Sequence, residues 1–448
     1  MKNTRKILAV LICVIMLATS MFNEGWLALF NSIRASAMAG HEQNYDDTRL
    51  ELDFNKDWLF SFSEDEASYM KGFDDSDWEK VDLPHDFSMS QEFTTEGTEA
   101  ESGHLPGGTG WYRKWFNLYE YYTGEHVFLN FDGAYQHTYV YVNGKYVGEN
   151  HYGYNSFSFE ISDYITWSNS SKNLIAVKVV NDIPNSRWYS GSGIYRDVSL
   201  AIAGPVHVSL YGPRLTTPNI KNGDGTVEAT IKFHNDTAIS KKVSIEATIL
   251  DDKHNPVSST VKSNLITVPA ETEQEVVLSP SVDSPELWSL DNPKLYKLKT
   301  VVRGENGELI DEYHTTFGYR YIEWDRDGGF KLNGEYIKLK GVCLHHDQGA
   351  LGAAQEYEAI YRQVVTLKEM GCNAIRTSHN STSKILINIC NELGMLVMEE
   401  FFDGWDASKN YNEHDFSEYF NETLTSDNTV LGGNGQKWFE FVVEQTIL

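Results

Sequence analysis

Tyr336-Ile337-Lys338-Leu339-Lys340-Gly341-Val342-Cys343-Leu344 has the composition of a strand, and it stops at His345-His346-Asp347. The residues beyond this stop decide the fold. Ile360, Val364, Leu367 and Met370 recur at helical spacing and give one apolar face, and Gly371 stands where a helix C-terminus takes glycine. Cys372–Thr377 is a second strand, ending at Ser378-His379-Asn380. Leu386, Ile389, Cys390 and Leu393 mark a second helix, closed by Gly394, before a third strand, Met395-Leu396-Val397-Met398, that ends at Glu399-Glu400. Strands separated by helices in this way pair in parallel. His345, His346, Asp347, His379, Asn380, Glu399, Glu400 and Asp403 all gather where strands end. That edge binds ligands in a (β/α)₈ barrel and in a doubly wound sheet alike, so the pattern leaves those two open.

Upstream the periodicity changes. Residues 45–205 read as a β-sandwich: Thr138–Val142 and Lys145–Val147 flank Asn143-Gly144, the strongest short hairpin signal, and 127–131 and 174–180 add further strands. In 206–318, Thr226–Phe233 and Val243–Ile249 alternate with period two, which buries one face of each. With about 110 residues and no cysteine, this stretch suits an immunoglobulin-like sandwich lacking the inter-sheet disulfide. The expected order is therefore two sandwiches, then a βαβ region over 319–448.

The 448 residues carry a formal charge of −27. Such a surface repels nucleic acid and anionic lipid, and a neutral partner such as sugar fits it better. Aromatics make up 13%, including 11 Trp and 25 Tyr, a supply of rings for sugar C–H faces that strands also use for themselves. Residues 1–37 have the order of an export signal: Lys2, Arg5 and Lys6, an apolar run over 7–18, then Ala35-Ser36-Ala37-Met38-Ala39. Secretion or a cell-surface location is expected, with no membrane contact beyond export. Cys343, Cys372 and Cys390 form no paired spacing and read as buried free thiols, with no metal and no cofactor implied.

Four stretches carry a resemblance. Gly110-Trp111-Tyr112-Arg113-Lys114, Arg187–Val198 (RWYSGSGIYRDV), Lys340–Asp347 with Gly349–Gly352, and Met370–Asn380 together resemble glycoside hydrolase family 2 in its β-galactosidase-like branch. The resemblance implies a jelly-roll sugar-binding sandwich, an immunoglobulin-like sandwich and a (β/α)₈ TIM barrel. It also implies retaining hydrolysis of a terminal β-galactoside. That chemistry needs a carboxylic acid and a carboxylate about 5–5.5 Å apart. In the family both are glutamates on later barrel strands, the acid/base following an Asn. No Asn-Glu closes an apolar strand after Glu400, since Asn412-Glu413 and Asn421-Glu422 lie in polar stretches. No catalytic residue is therefore named, and the 448 residues read as a front portion without hydrolytic activity of its own.

Substrate contacts do carry over. By resemblance His345 and His379 face the sugar, with Asn380 beside them, Asp403 and Trp405 following the third strand, and Arg187 reaching in from the first sandwich or serving a domain interface. Glu399 and Glu400, adjacent on a strand, point to opposite faces and cannot be the hydrolytic pair. A non-catalytic carbohydrate-binding protein and a family 2 β-glucuronidase or β-mannosidase are the alternatives. The sequence carries no signal for an oligomeric state.

Overall fold

The computed structural model describes residues 48–403, 407–424 and 435–447. The leader-like segment and Trp405 lie outside the described residues.

A four-stranded sheet, in the order Arg49–Asp53, Val198–Ala203, His126–Phe131, Phe157–Glu160, faces a six-stranded one. The second runs Glu79–Val81, Trp58–Phe62, Gly108–Phe116, Asn173–Asn181, His137–Val142, Lys145–Asn150. Alternating residues turn inward and form one core that includes Trp58, Phe60, Leu129, Phe131, Val140, Val177 and Leu200. The Asn143-Gly144 turn has φ of 53° and 80°, the pair of positive values a two-residue hairpin requires. Asn143 Nδ2 further donates to Tyr164 O at 2.7 Å, fixing the turn to its neighbours.

The second sandwich packs a sheet centred on Glu228–Asn235 against one centred on Lys241–Leu250 and Tyr296–Gly304. Ile231, Phe233, Ile245, Ile249, Leu298 and Val302 close its core. It has no cysteine to join the sheets; buried Tyr319 instead donates its hydroxyl to Gly225 O at 2.8 Å.

Beyond it, Gly341–Leu344, Ala374–Thr377 and Leu396–Met398 pair in parallel and in chain order, joined by the helices Tyr357–Glu369 and Lys384–Leu393. The run expected as one strand over 336–344 is two pieces. Glu335–Tyr336 pairs antiparallel with Gly329–Leu332, and the parallel strand starts only at Gly341. Asn373 makes the break: its side chain accepts from Lys340 N at 2.8 Å and donates to Lys338 O at 3.1 Å, taking backbone groups a continuous ladder would need. The expectation of three buried thiols is also corrected. Cys390 is buried and Cys372 half-buried, but Cys343 is exposed, because its strand turns that side chain toward Arg376 rather than toward the helices.

Gly394 ends the second helix at φ 71°, and a Cβ there would lie 2.4 Å from Leu290 O. Gly394→Ala is therefore expected to cost about 1–2 kcal/mol from the left-handed backbone alone. An unchanged urea midpoint for that variant would count against the close approach.

Candidate functional site

Strand geometry puts His345 and His379 at neighbouring C-terminal ends, and their rings lie 5.6 Å apart. A residue of the first sandwich completes the group. The Trp188 ring sits 5.0 Å from His345 and 5.3 Å from His379, and its Nε1 donates to Tyr154 Oη at 3.0 Å. Exposed Arg187 lays its guanidinium 5.4 Å from the Trp188 ring centre and makes no ion pair among the described residues. The interface salt bridge considered for Arg187 is thus not seen there. The indole, the two imidazoles and the guanidinium thus lie side by side at this strand edge.

His379 is held at Nδ1, 3.0 Å from Glu400 Oε2 and 3.2 Å from Arg376 Nη2. Glu400 Oε1 in turn takes Arg376 Nε at 2.5 Å. Burial, with His379 as the next cause, lowers the pKa of His345, so this imidazole is neutral at neutral pH and can both donate and accept. His346 differs: it is buried, donates from Nε2 to Ser190 O at 2.8 Å, and is driven by burial to a pKa of about 4. Its part is to tie the strand-end loop to the sandwich.

Asn380 is only 4% exposed, and its Nδ2 has no hydrogen-bond partner among the described residues. Asp403 is buried with its charge toward Tyr135, Tyr152 and Tyr154, whose hydroxyl pKa values are raised first by burial and then by neighbours that include this carboxylate. Through Tyr154 it joins the Trp188 wall. The other acids diverge as strand alternation requires. Glu399 accepts from Thr382 N at 2.7 Å and Thr377 Oγ1 at 3.2 Å, whereas Glu400 serves Arg376 and His379. Asn412 is a brace, donating to Ser186 O at 2.9 Å.

Sequence reasoning named five of these positions and missed Trp188, although it stands beside Arg187 in the RWY triplet. Apolar and buried, it looks like core until its neighbours are known.

Comparison with known proteins gives a consistent match. Residues 54–203 match the sugar binding domain of glycosyl hydrolases family 2, residues 208–320 the model described simply as glycosyl hydrolases family 2, and residues 325–438 the family's TIM barrel domain. The β-galactosidase BoGH2A of Bacteroides ovatus is 40% identical over 84% of this chain and 43% of its own length. A putative β-glucuronidase of Formosa agariphila is 37% identical over 83% of this chain and 35% of its own. A solved glycosyl hydrolase family 2 member from Bacteroides cellulosilyticus superposes with a TM-score of 0.79 at 37% identity, covering 83% of this chain and 48% of that one. The chain spans less than half the length of these relatives.

Proposed function

The chain belongs to glycosyl hydrolases family 2, and from that premise we propose that it forms the sugar-facing front of an exported β-glycosidase acting on terminal β-galactosides. The observation that carries the reading is the meeting of Trp188, His345 and His379 at one strand edge. An indole face suits the C–H side of a pyranose, and imidazole nitrogens suit its hydroxyls. The basic, apolar and small-residue order of 1–39 supports export.

Hydrolysis with retention takes two carboxyls across one sugar ring. Glu399 and Glu400 have separate partners, which leaves them unsuited to that pairing. The 448-residue chain is therefore expected to leave p-nitrophenyl β-galactoside intact while still binding a thio-β-galactoside. Turnover above the solvent rate by the purified chain would sink the proposal of an incomplete catalyst.

One feature supports a second reading, a β-glucuronide. Arg187 is a cation beside the indole wall without an ion pair among the described residues, and a uronate carboxylate would suit it. Calorimetric titration with the thio-β-galactoside and the thio-β-glucuronide separates the two. Tighter uronide binding, lost in Arg187→Ala, would replace the galactoside assignment.

A further inference from the structure

We infer that Asp86, a side chain of the first sandwich, is a positioning residue for the sugar site. It is 5% exposed, and both of its oxygens are fully used. Oδ1 accepts from Ser88 N and Ser192 N, each at 3.0 Å. Oδ2 accepts from Tyr189 Oη at 2.6 Å and from Ala353 N at 2.8 Å. One carboxylate thus joins two loops distant in sequence. The first begins with Trp188; the second, after the first barrel strand, begins with His345.

Two glycines are explained by the same group. A Cβ on Gly191 would lie 2.7 Å from Asp86 Oδ2, and one on Gly352 would lie 2.3 Å from it. Both glycines also have positive φ, 69° and 62°. Gly191 and Gly352, one in each loop, therefore both abut a carboxylate that neither loop contains. His346, bonded to Ser190 O, sets the same pair of loops from the other side. Asp86 touches no substrate; it acts through the indole and the imidazole whose separation it fixes.

The inference rests on the reading that Trp188, His345 and His379 face the sugar, but its test needs no ligand. Asp86→Asn keeps an oxygen for Ser88 and Ser192 but turns an amide N–H₂ toward the Tyr189 hydroxyl and the N–H of Ala353; the hydroxyl can accept in place of donating, whereas the bond from Ala353 N is lost. In histidine- and indole-labelled 448-residue chain, Asp86→Asn is expected to shift the NMR signals of His345 and Trp188 and leave remote His254 unmoved. Amide exchange over 349–355 should quicken about ten-fold, the scale of one buried hydrogen bond. Tyr189→Phe removes a single bond at a half-buried hydroxyl and should move His345 in the same direction by less, which keeps the test open if Asp86→Asn folds poorly. Unmoved His345 signals in a folded variant, or a uniform loss of protection with no local signature, would overturn the assignment. Failure of the thio-sugar titration would instead remove the sugar reading and leave the positioning result standing.

Discussion

Asp311→Ala is expected to lower the unfolding free energy by about 3–5 kcal/mol, the usual cost of leaving one member of a buried ion pair behind. Arg49, on an edge strand of the first sandwich, reaches the second: Nη2 lies 2.8 Å and Nε 3.3 Å from the Asp311 carboxylate, with side-chain exposures of 6% and 0%. Oδ2 also takes Val208 N at 2.7 Å. Burial outweighs the guanidinium and raises the Asp311 pKa, so the pair is held by fixed geometry more than by net attraction. Alanine would strand the guanidinium and the Val208 N–H together in a dry seam. The double variant Arg49→Met/Asp311→Leu, which removes the charge as well, should recover much of the loss and leave the N–H as the remaining penalty. Urea transitions compare the three proteins. A single variant within about 1 kcal/mol of the parent would mean that the seam admits water.

The contrast between what periodicity revealed and what it hid has the same physical origin. Val140, Val142, Ile245 and Ile249 lie on strands whose alternation is a local consequence of one buried face, and their sheets were legible. The parallel region was legible because Gly371 and Gly394 punctuate its helices. The break at 337–340 was not, because Asn373 reaches back from another strand to make it. The choice of a barrel over a doubly wound sheet came from the family match, since both place polar residues at strand ends. For the site, His345 and His379 were found because strand ends are visible in one dimension. Trp188 and Asp86 act across the seam between sandwich and barrel, and nothing in their own neighbourhoods announces a partner so far away. Cys343 was misjudged for a related reason: apolar neighbours on a strand do not say which side of the sheet is covered.

Those seams also make the fold sensitive to acid. Burial drives His85 and His346 to pKa values of about 4 and His137 and His207 to about 3, from an ordinary 6.5. Each stays neutral in the folded chain while its unfolded counterpart takes a proton below pH 6.5, so stability present at neutral pH is lost as pH falls toward the folded values. Asp197 works the other way. Burial lifts it to about 6, so the folded state gains a proton there on acidification, as does His126, whose pKa is raised by its hydrogen bond to Glu160. Among these six groups the four refusing imidazoles outweigh the two acceptors near pH 6, so acidification shifts the balance toward the unfolded chain. Three of the four histidines lie in seams. His346 stands between the loop after the first barrel strand and the first sandwich. His207 stands at the junction of the sandwiches beside His126 and His234. His137 shares a 3.2 Å Nδ1–Nδ1 contact with His151 under the ring of Tyr419, where the chain after the third barrel strand meets the first sandwich. Acidification from pH 7 to 5.5 should therefore release residues 415–424 and 435–443 and part the two sandwiches before either apolar core opens. Hydrogen exchange at stepped pH would show protection failing first around Tyr419 and His207. His137→Phe should flatten the slope by about one proton, roughly 1.4 kcal/mol per pH unit. A stability that stays level between pH 7 and 5.5 would mean these imidazoles titrate as freely in the folded chain as outside it.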